Sequence, residues 1–177
     1  MPEDGDGRYK FRSFVRDERQ MAMVFQNFLR NFIEIECKDW SVKGDFIKWD
    51  ASSTSDPSLG LLPRMETDIS LRRGGDLLIV DAKYYLEAMS KRHQTEKFKS
   101  GNLYQIVAYL HNASKMNSGR ISGMLIYPEV DRAFDFRYKI HGYDICLRTI
   151  NLNQHWSDLK NELIAIFNYE LYFSAAA

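Results

Sequence analysis

The run LLPRMETDISLRRGGDLLIVDAKYY, Leu61 to Tyr85, decides how this chain folds. Two stretches rich in Ile, Leu, Val and Tyr are joined by Gly74-Gly75 alone, the pattern of a β-hairpin closed by a two-residue turn. A turn centred on those glycines sets the register, so that Asp68 opposes Asp81 and Glu66 opposes Lys83. Side chains alternate across a strand. These four charges therefore share one face, while Ile69, Leu71, Leu78, Val80 and Ala82 share the other. One face of the hairpin is expected to be core and the other charged.

Opposed side chains on paired strands have Cβ atoms about 4.5–5.5 Å apart, so Asp68 and Asp81 repel unless positive charge lies between them. A hard divalent cation resolves the conflict. Mg²⁺ takes oxygen ligands, keeps several waters and is commonly held by one or two carboxylates, and Mn²⁺ accepts the same donors. Lys83, two residues from Asp81 on the same face, is placed to orient or stabilise an attacking hydroxide. Two carboxylates and a lysine in this arrangement predict a phosphodiesterase site.

Outward from the hairpin, Asp17 to Glu36 carries Met21, Val24, Phe25, Phe28, Leu29, Phe32 and Ile33 at intervals of three and four, which predicts an amphipathic helix. Trp40 to Trp49 alternates loosely and reads as a strand or short hairpin, and Ala51 to Gly60 reads as a loop. After the hairpin, Leu86 to Gly101 is polar and basic without an apolar period, and is expected to be a mobile loop. Asn102 to Asn117 follows as a helix with Asn102 as a possible N-cap. Gly123 to Pro128 reads as a buried strand, and Ala133 to Ile140 and Tyr143 to Leu152 as two strands around His141-Gly142. Trp156 to Phe167 is the last helix. This order predicts an α/β (α+β) fold with a mixed central sheet flanked by helices.

The 177 residues and their 45% hydrophobic content suit one domain. It is expected over 16–173, after a boundary or linker at 1–15 and before an appended tail at 174–177. Twenty-four basic and 24 acidic side chains cancel, so any nucleic-acid site must be a local patch. Cys37 and Cys146 form no CxxC pair, which argues against zinc and against a disulfide framework. No long apolar run or signal peptide appears, and a cytoplasmic location is expected. His93, His111, His141 and His155 lack metal-binding spacing.

Thr67-Asp68-Ile69, followed by Asp81-Ala82-Lys83, resembles the PD-(D/E)xK nuclease signature with Thr67 in place of proline. LYQIVAYL, Leu103 to Leu110, is similar to the Gln-Tyr helix that follows the motif in several DNA-processing branches, and RQMAMVFQNFLRNF, Arg19 to Phe32, resembles the opening helix of McrC-type nuclease domains. McrC-type subunits belong to modification-dependent (5-methylcytosine) restriction systems. The resemblance implies a restriction-endonuclease-like core and an Mg²⁺-dependent endodeoxyribonuclease, with Mn²⁺ able to substitute. It further implies metal positions at Asp68, Asp81 and Ala82, catalytic residues Asp68, Asp81, Lys83 and Gln105, double-stranded DNA as substrate, and a GTP-hydrolysing AAA+ (McrB-type) motor as partner. One departure is Gln26, which stands where these nucleases commonly carry a helix carboxylate.

Blander roles stand beside these. Lys83 can simply pair with Glu66, and Gln105 can be an ordinary amide at the core edge. Lys91, Arg92, Lys97 and Lys99 form either a solvated surface or a phosphate clamp. Two other functions remain open: a non-catalytic DNA-binding or assembly module, to which Gln26 and the neutral charge point, and a repair or recombination nuclease of the same superfamily.

Overall fold

The hairpin forms where the glycines place it. In the computed structural model, which describes residues 18–84, 89–92, 95–130 and 132–169, strand β4 (Ile69–Arg73) pairs antiparallel with β5 (Asp76–Ala82). Ile69 lies opposite Val80 and Arg73 opposite Asp76, the register expected from the turn. Gly74 adopts φ 60°, the left-handed value that a type II′ turn requires at its first central residue. The expected boundary at 1–15 and tail at 174–177 lie outside the described residues.

Four further strands join this hairpin: β1 (Ser41–Lys43), β8 (Ile121–Pro128), β9 (Asp135–Ile140) and β10 (Tyr143–Ile150). Together they form a six-stranded mixed sheet in the order β1-β4-β5-β8-β10-β9. The β5–β8 and β8–β10 pairs are parallel and the others antiparallel. His141 and Gly142 both have positive φ, 50° and 83°, closing the β9–β10 hairpin in two residues. Two small ladders stand apart from the main sheet: β2 (Phe46–Ile47) with β3 (Met65–Glu66), and β6 (Met89–Arg92) with β7 (Thr95–Phe98).

Helices cover both faces. Helix α1 (Glu18–Glu36) buries Phe25, Leu29, Phe32 and Ile33, a single stripe at helical spacing, whereas Val24 points outward at 46% exposure. Helix α3 (Trp156–Tyr169) lies on the same side through Leu159, Leu163, Ile166 and Phe167. Both pack on Ile69, Leu71, Leu78, Val80 and Ala82, the apolar hairpin face read from the sequence. Trp40 Nε1 donates to the carbonyl of Phe167 at 3.0 Å and ties the exit of α1 to α3. On the opposite face, helix α2 (Ser100–Ser114) seats Ile106, Tyr109 and Leu110 on Leu77, Ile79, Leu125, Tyr127, Ile145 and Leu147. Gly123 permits that approach, because a Cβ there would stand 2.8 Å from Ile106 Cγ1 and 3.0 Å from Leu110 Cδ1.

Several expectations are corrected. The hairpin has no charged face along its length: Leu77 and Ile79 are buried under α2, between Asp81 at one end and Arg72 at the other. The segment 40–49 gives two strands that join different sheets, not one hairpin. The segment expected as a loop, 86–101, contains the β6–β7 ladder, with residues 86–88, 93 and 94 outside the described set. Lys99 occupies the N-cap of α2, without a side-chain capping bond, while Asn102 lies inside the helix and donates through Nδ2 to Tyr127 Oη.

Candidate active site

The candidate residues come together because β5 ends where the strand before β4 bends away. If β3 and β4 formed one straight strand, Glu66 would sit across from Lys83. Instead β3 pairs with β2, placing Phe46 opposite Glu66, and the chain turns at Thr67-Asp68. Thr67 is buried and holds that turn: its N–H donates to Asp45 O at 3.0 Å, and its Oγ1 accepts from Asp45 N at 2.9 Å and lies 2.9 Å from Ser70 Oγ. From α1, the Arg30 guanidinium donates to the carbonyl of Asp68 at 2.7 Å. Glu66 is exposed, so the expected Glu66–Lys83 pairing is absent from the site.

The bend aims the Asp68 carboxylate at the end of β5, where Oδ2 accepts the N–H of Ala82 at 2.9 Å. Asp81 is 2% exposed, and the two carboxyl groups interact directly. Burial first, then the charge of Asp81 and a hydrogen bond with it, push the Asp68 carboxyl up to about 7; the Ala82 N–H and Lys83 act in the opposite sense. The contacts of the Asp81 carboxylate are the Asp68 carboxyl and Lys83 Nζ, which stands 2.7 Å from Oδ1 as an ion pair. A buried carboxylate pair is costly unless a cation completes it.

Lys83 is itself positioned. Its N–H extends the β5–β8 ladder to Ile126 O at 2.9 Å, and Nζ donates to Gln105 Oε1 at 2.8 Å. Gln105 Nε2 donates to Tyr109 Oη at 2.9 Å, and Tyr109 Oη donates to Glu66 O at 3.0 Å. Gln105 thus links the lysine, through Tyr109, to the strand end just before the bend that carries Asp68. Tyr109 and Arg30 escaped the sequence reading. Tyr109 was accessible from its position four residues after Gln105 on one helix face; for Arg30 the only signal was a charge beside the apolar stripe of α1.

Gln26 is half-buried, one helical turn before Arg30 on the same side of α1. Among the described residues no group of three or more His, Cys, Asp and Glu converges. The donors on offer are thus the two carboxylates, a sparse, all-oxygen set that suits Mg²⁺, an ion that retains waters, better than zinc. Lys97 is exposed and Lys99 half-buried, while the side chains of Lys91 and Arg92 lie outside the described residues.

Residues 6–128 match the family described as McrBC 5-methylcytosine restriction system component, a span that takes in Asp68, Asp81, Lys83 and Gln105. The chain belongs to that McrBC family. It is also similar to the type IV methyl-directed restriction enzyme EcoKMcrBC of Escherichia coli (strain K12), at 48% identity over 168 residues. That match covers 95% of this chain but 48% of the relative, so the chain spans about half the length of this McrBC protein. Among the described residues, no helix is long and apolar enough to cross a membrane.

Proposed function

We propose that this chain carries the DNA-cleaving site of an McrBC system: a metal-dependent endonuclease of PD-(D/E)xK type on a restriction-endonuclease-like core, working on double-stranded DNA with a GTP-hydrolysing AAA+ partner. The observation that carries the reading is the buried Asp68–Asp81 carboxyl pair, in direct contact with each other and with the Lys83 ammonium 2.7 Å from Asp81 Oδ1. Surface salt bridges do not need such burial, and neutral residues in its place would often be as stable or more so.

Asp68, Asp81 and the Ala82 carbonyl would hold Mg²⁺, or Mn²⁺ in its place. When bound, the cation supplies positive charge to the scissile phosphate and acidifies a water. Lys83, restrained by Gln105 and Asp81, holds its ammonium where a hydroxide nucleophile or a phosphoryl oxygen is to be stabilised. Asp68, whose carboxyl burial raises to about 7, would lose its proton where a cation is held, and the pair would then offer two carboxylates. Arg30 and Thr67 hold the Asp68 backbone at the bend.

The test is calorimetric titration of Mg²⁺ and Mn²⁺ into the protein, paired with nicking of supercoiled plasmid. Metal-dependent nicking that disappears in Asp81→Ala supports the reading. Gln26, in place of a helix carboxylate, favours a second reading, a non-catalytic module that keeps the fold. Absence of metal binding in both wild type and variant, with DNA present, would establish it over the first.

A further inference from the structure

Beside the β2–β3 ladder, a cleft of about 610 Å³ is lined by Phe46, Lys48, Trp49, Leu59, Leu62 and Arg64 among others. Phe46 is 63% exposed, and the Arg64 guanidinium stands 5.8 Å from its ring centroid. Trp49 donates its indole N–H to Pro63 O at 2.7 Å, which commits its single donor and fixes the ring; the ring is half-buried, packed in part against the core beneath the sheet and in part lining the cleft. The lip is held in shape by Asp56, whose carboxylate accepts from Ser58 Oγ at 2.9 Å and Leu61 N at 3.1 Å, with Leu59 in the left-handed region at φ 54°.

Charge points the same way. Lys48 and Arg64 are cations and no carboxylate is among the lining residues; the acids at the edge are Asp56, turned onto Ser58 and Leu61 of the lip, and Glu66 opposite Phe46. From Met65 in the cleft wall the chain continues through Glu66 and Thr67 to Asp68. Aromatic faces between cations suit a nucleobase and its phosphates: every base has a π face, and stacking tolerates any sequence. The one side-chain hydroxyl in the wall, Ser58, is committed to Asp56, so base edges meet little that could read them.

We propose that this cleft receives a base turned out of the DNA duplex led to the Asp68–Asp81 site, stacking it on the exposed Phe46 ring beside Trp49 while Lys48 and Arg64 hold the flanking phosphates. The inference rests on the nuclease reading for its ligand. It adds a strand-capturing surface outside the metal site.

The experiment uses a short fluorescein-labelled oligothymidylate with EDTA present, so that binding is read without cleavage. The oligonucleotide should quench tryptophan fluorescence in the wild type and not in Trp49→Phe. Phe46→Ala should weaken binding about five-fold or more, and Phe46→Tyr should restore it. Lys48→Ala and Arg64→Ala should each lower the slope of log affinity against log salt by about 0.7. Unchanged affinity in Phe46→Ala, or absence of Trp49 quenching, would overturn the proposal, as would quenching by an acidic peptide and not by the oligonucleotide, which would assign the cleft to a protein partner. Plasmid nicking separates the two readings. Nicking without quenching removes the cleft alone, whereas quenching without metal-dependent nicking removes the nuclease and leaves the cleft.

Discussion

Replacing Asp68 with asparagine should stabilise the fold while eliminating the metal binding proposed for it. The carboxyl of Asp68 ionises near 3.8 in the unfolded chain and near 7 in the folded one, with burial as the leading cause. Between those values the native state binds the extra proton, so stability is fully present below pH 3.8 and is lost as pH rises toward 7. The loss runs at about 1.4 kcal/mol per pH unit, giving roughly 4 kcal/mol across the window. The asparagine amide mimics the protonated acid: its Oδ1 accepts the Ala82 N–H and its Nδ2 donates to Asp81. Urea unfolding of wild type and Asp68→Asn in EDTA at several pH values should show equal stability near pH 4, a gap growing with pH, and a plateau above 7 in favour of the variant. Adding Mg²⁺ at pH 8 should stabilise the wild type and leave Asp68→Asn unmoved. If the variant is less stable than wild type at pH 8 in EDTA, Asp68 is not a destabilised buried acid and the argument fails.

Gly123→Ala should cost about 1–3 kcal/mol, because its Cβ would press on Ile106 and Leu110 and lift α2 from the sheet. Thermal melting would read this as roughly 2–4 °C per kcal/mol for a chain of this size, and an unshifted midpoint would mean that the helix yields freely. Thr67→Pro restores the proline of the nuclease signature, yet it removes the N–H given to Asp45 O and the hydroxyl bonded to Asp45 N and Ser70. A loss of about 2–4 kcal/mol in denaturant unfolding is expected, and a neutral result would refute the bracing role assigned to Thr67. Gln105→Leu should slow plasmid nicking about ten-fold, equivalent to about 1.4 kcal/mol of barrier, and leave Mg²⁺ affinity unchanged. A weakened metal titration in that variant would contradict its place as the positioner of Lys83.

The hairpin was legible because Gly74-Gly75 leaves one register, and that register sends Ile69, Leu71, Leu78, Val80 and Ala82 to a single core face. Helix α1 was legible for a similar reason, its stripe of Phe25, Leu29, Phe32 and Ile33 having one period. What escaped lay where local pattern carries little information. LLIV in β5 is apolar throughout because both faces are buried, and alternation cannot report a second buried face. The β6–β7 ladder escaped because SKR and TEK look like loop composition while their backbones pair all the same. The N-cap of α2 misled because Asn102 is a good capping residue that a tertiary bond to Tyr127 draws inside the helix.

The most consequential miss was the bend at Thr67-Asp68, and it bears on how such a site is made. A straight strand would have placed Asp68, Asp81, Glu66 and Lys83 on one face and allowed the lysine to satisfy either glutamate or aspartate. By turning the chain there, Thr67, Asp45 and Arg30 send Glu66 to a separate ladder and keep Lys83 for Asp81 and Gln105. The cost is a buried carboxyl pair that repels above neutral pH, the strain that Asp68→Asn should relieve. A fold selected only for stability would lose that pair readily, since a neutral residue fits at the same position. A buried carboxyl pair beside a positioned lysine is therefore the feature on which the proposed cation site rests.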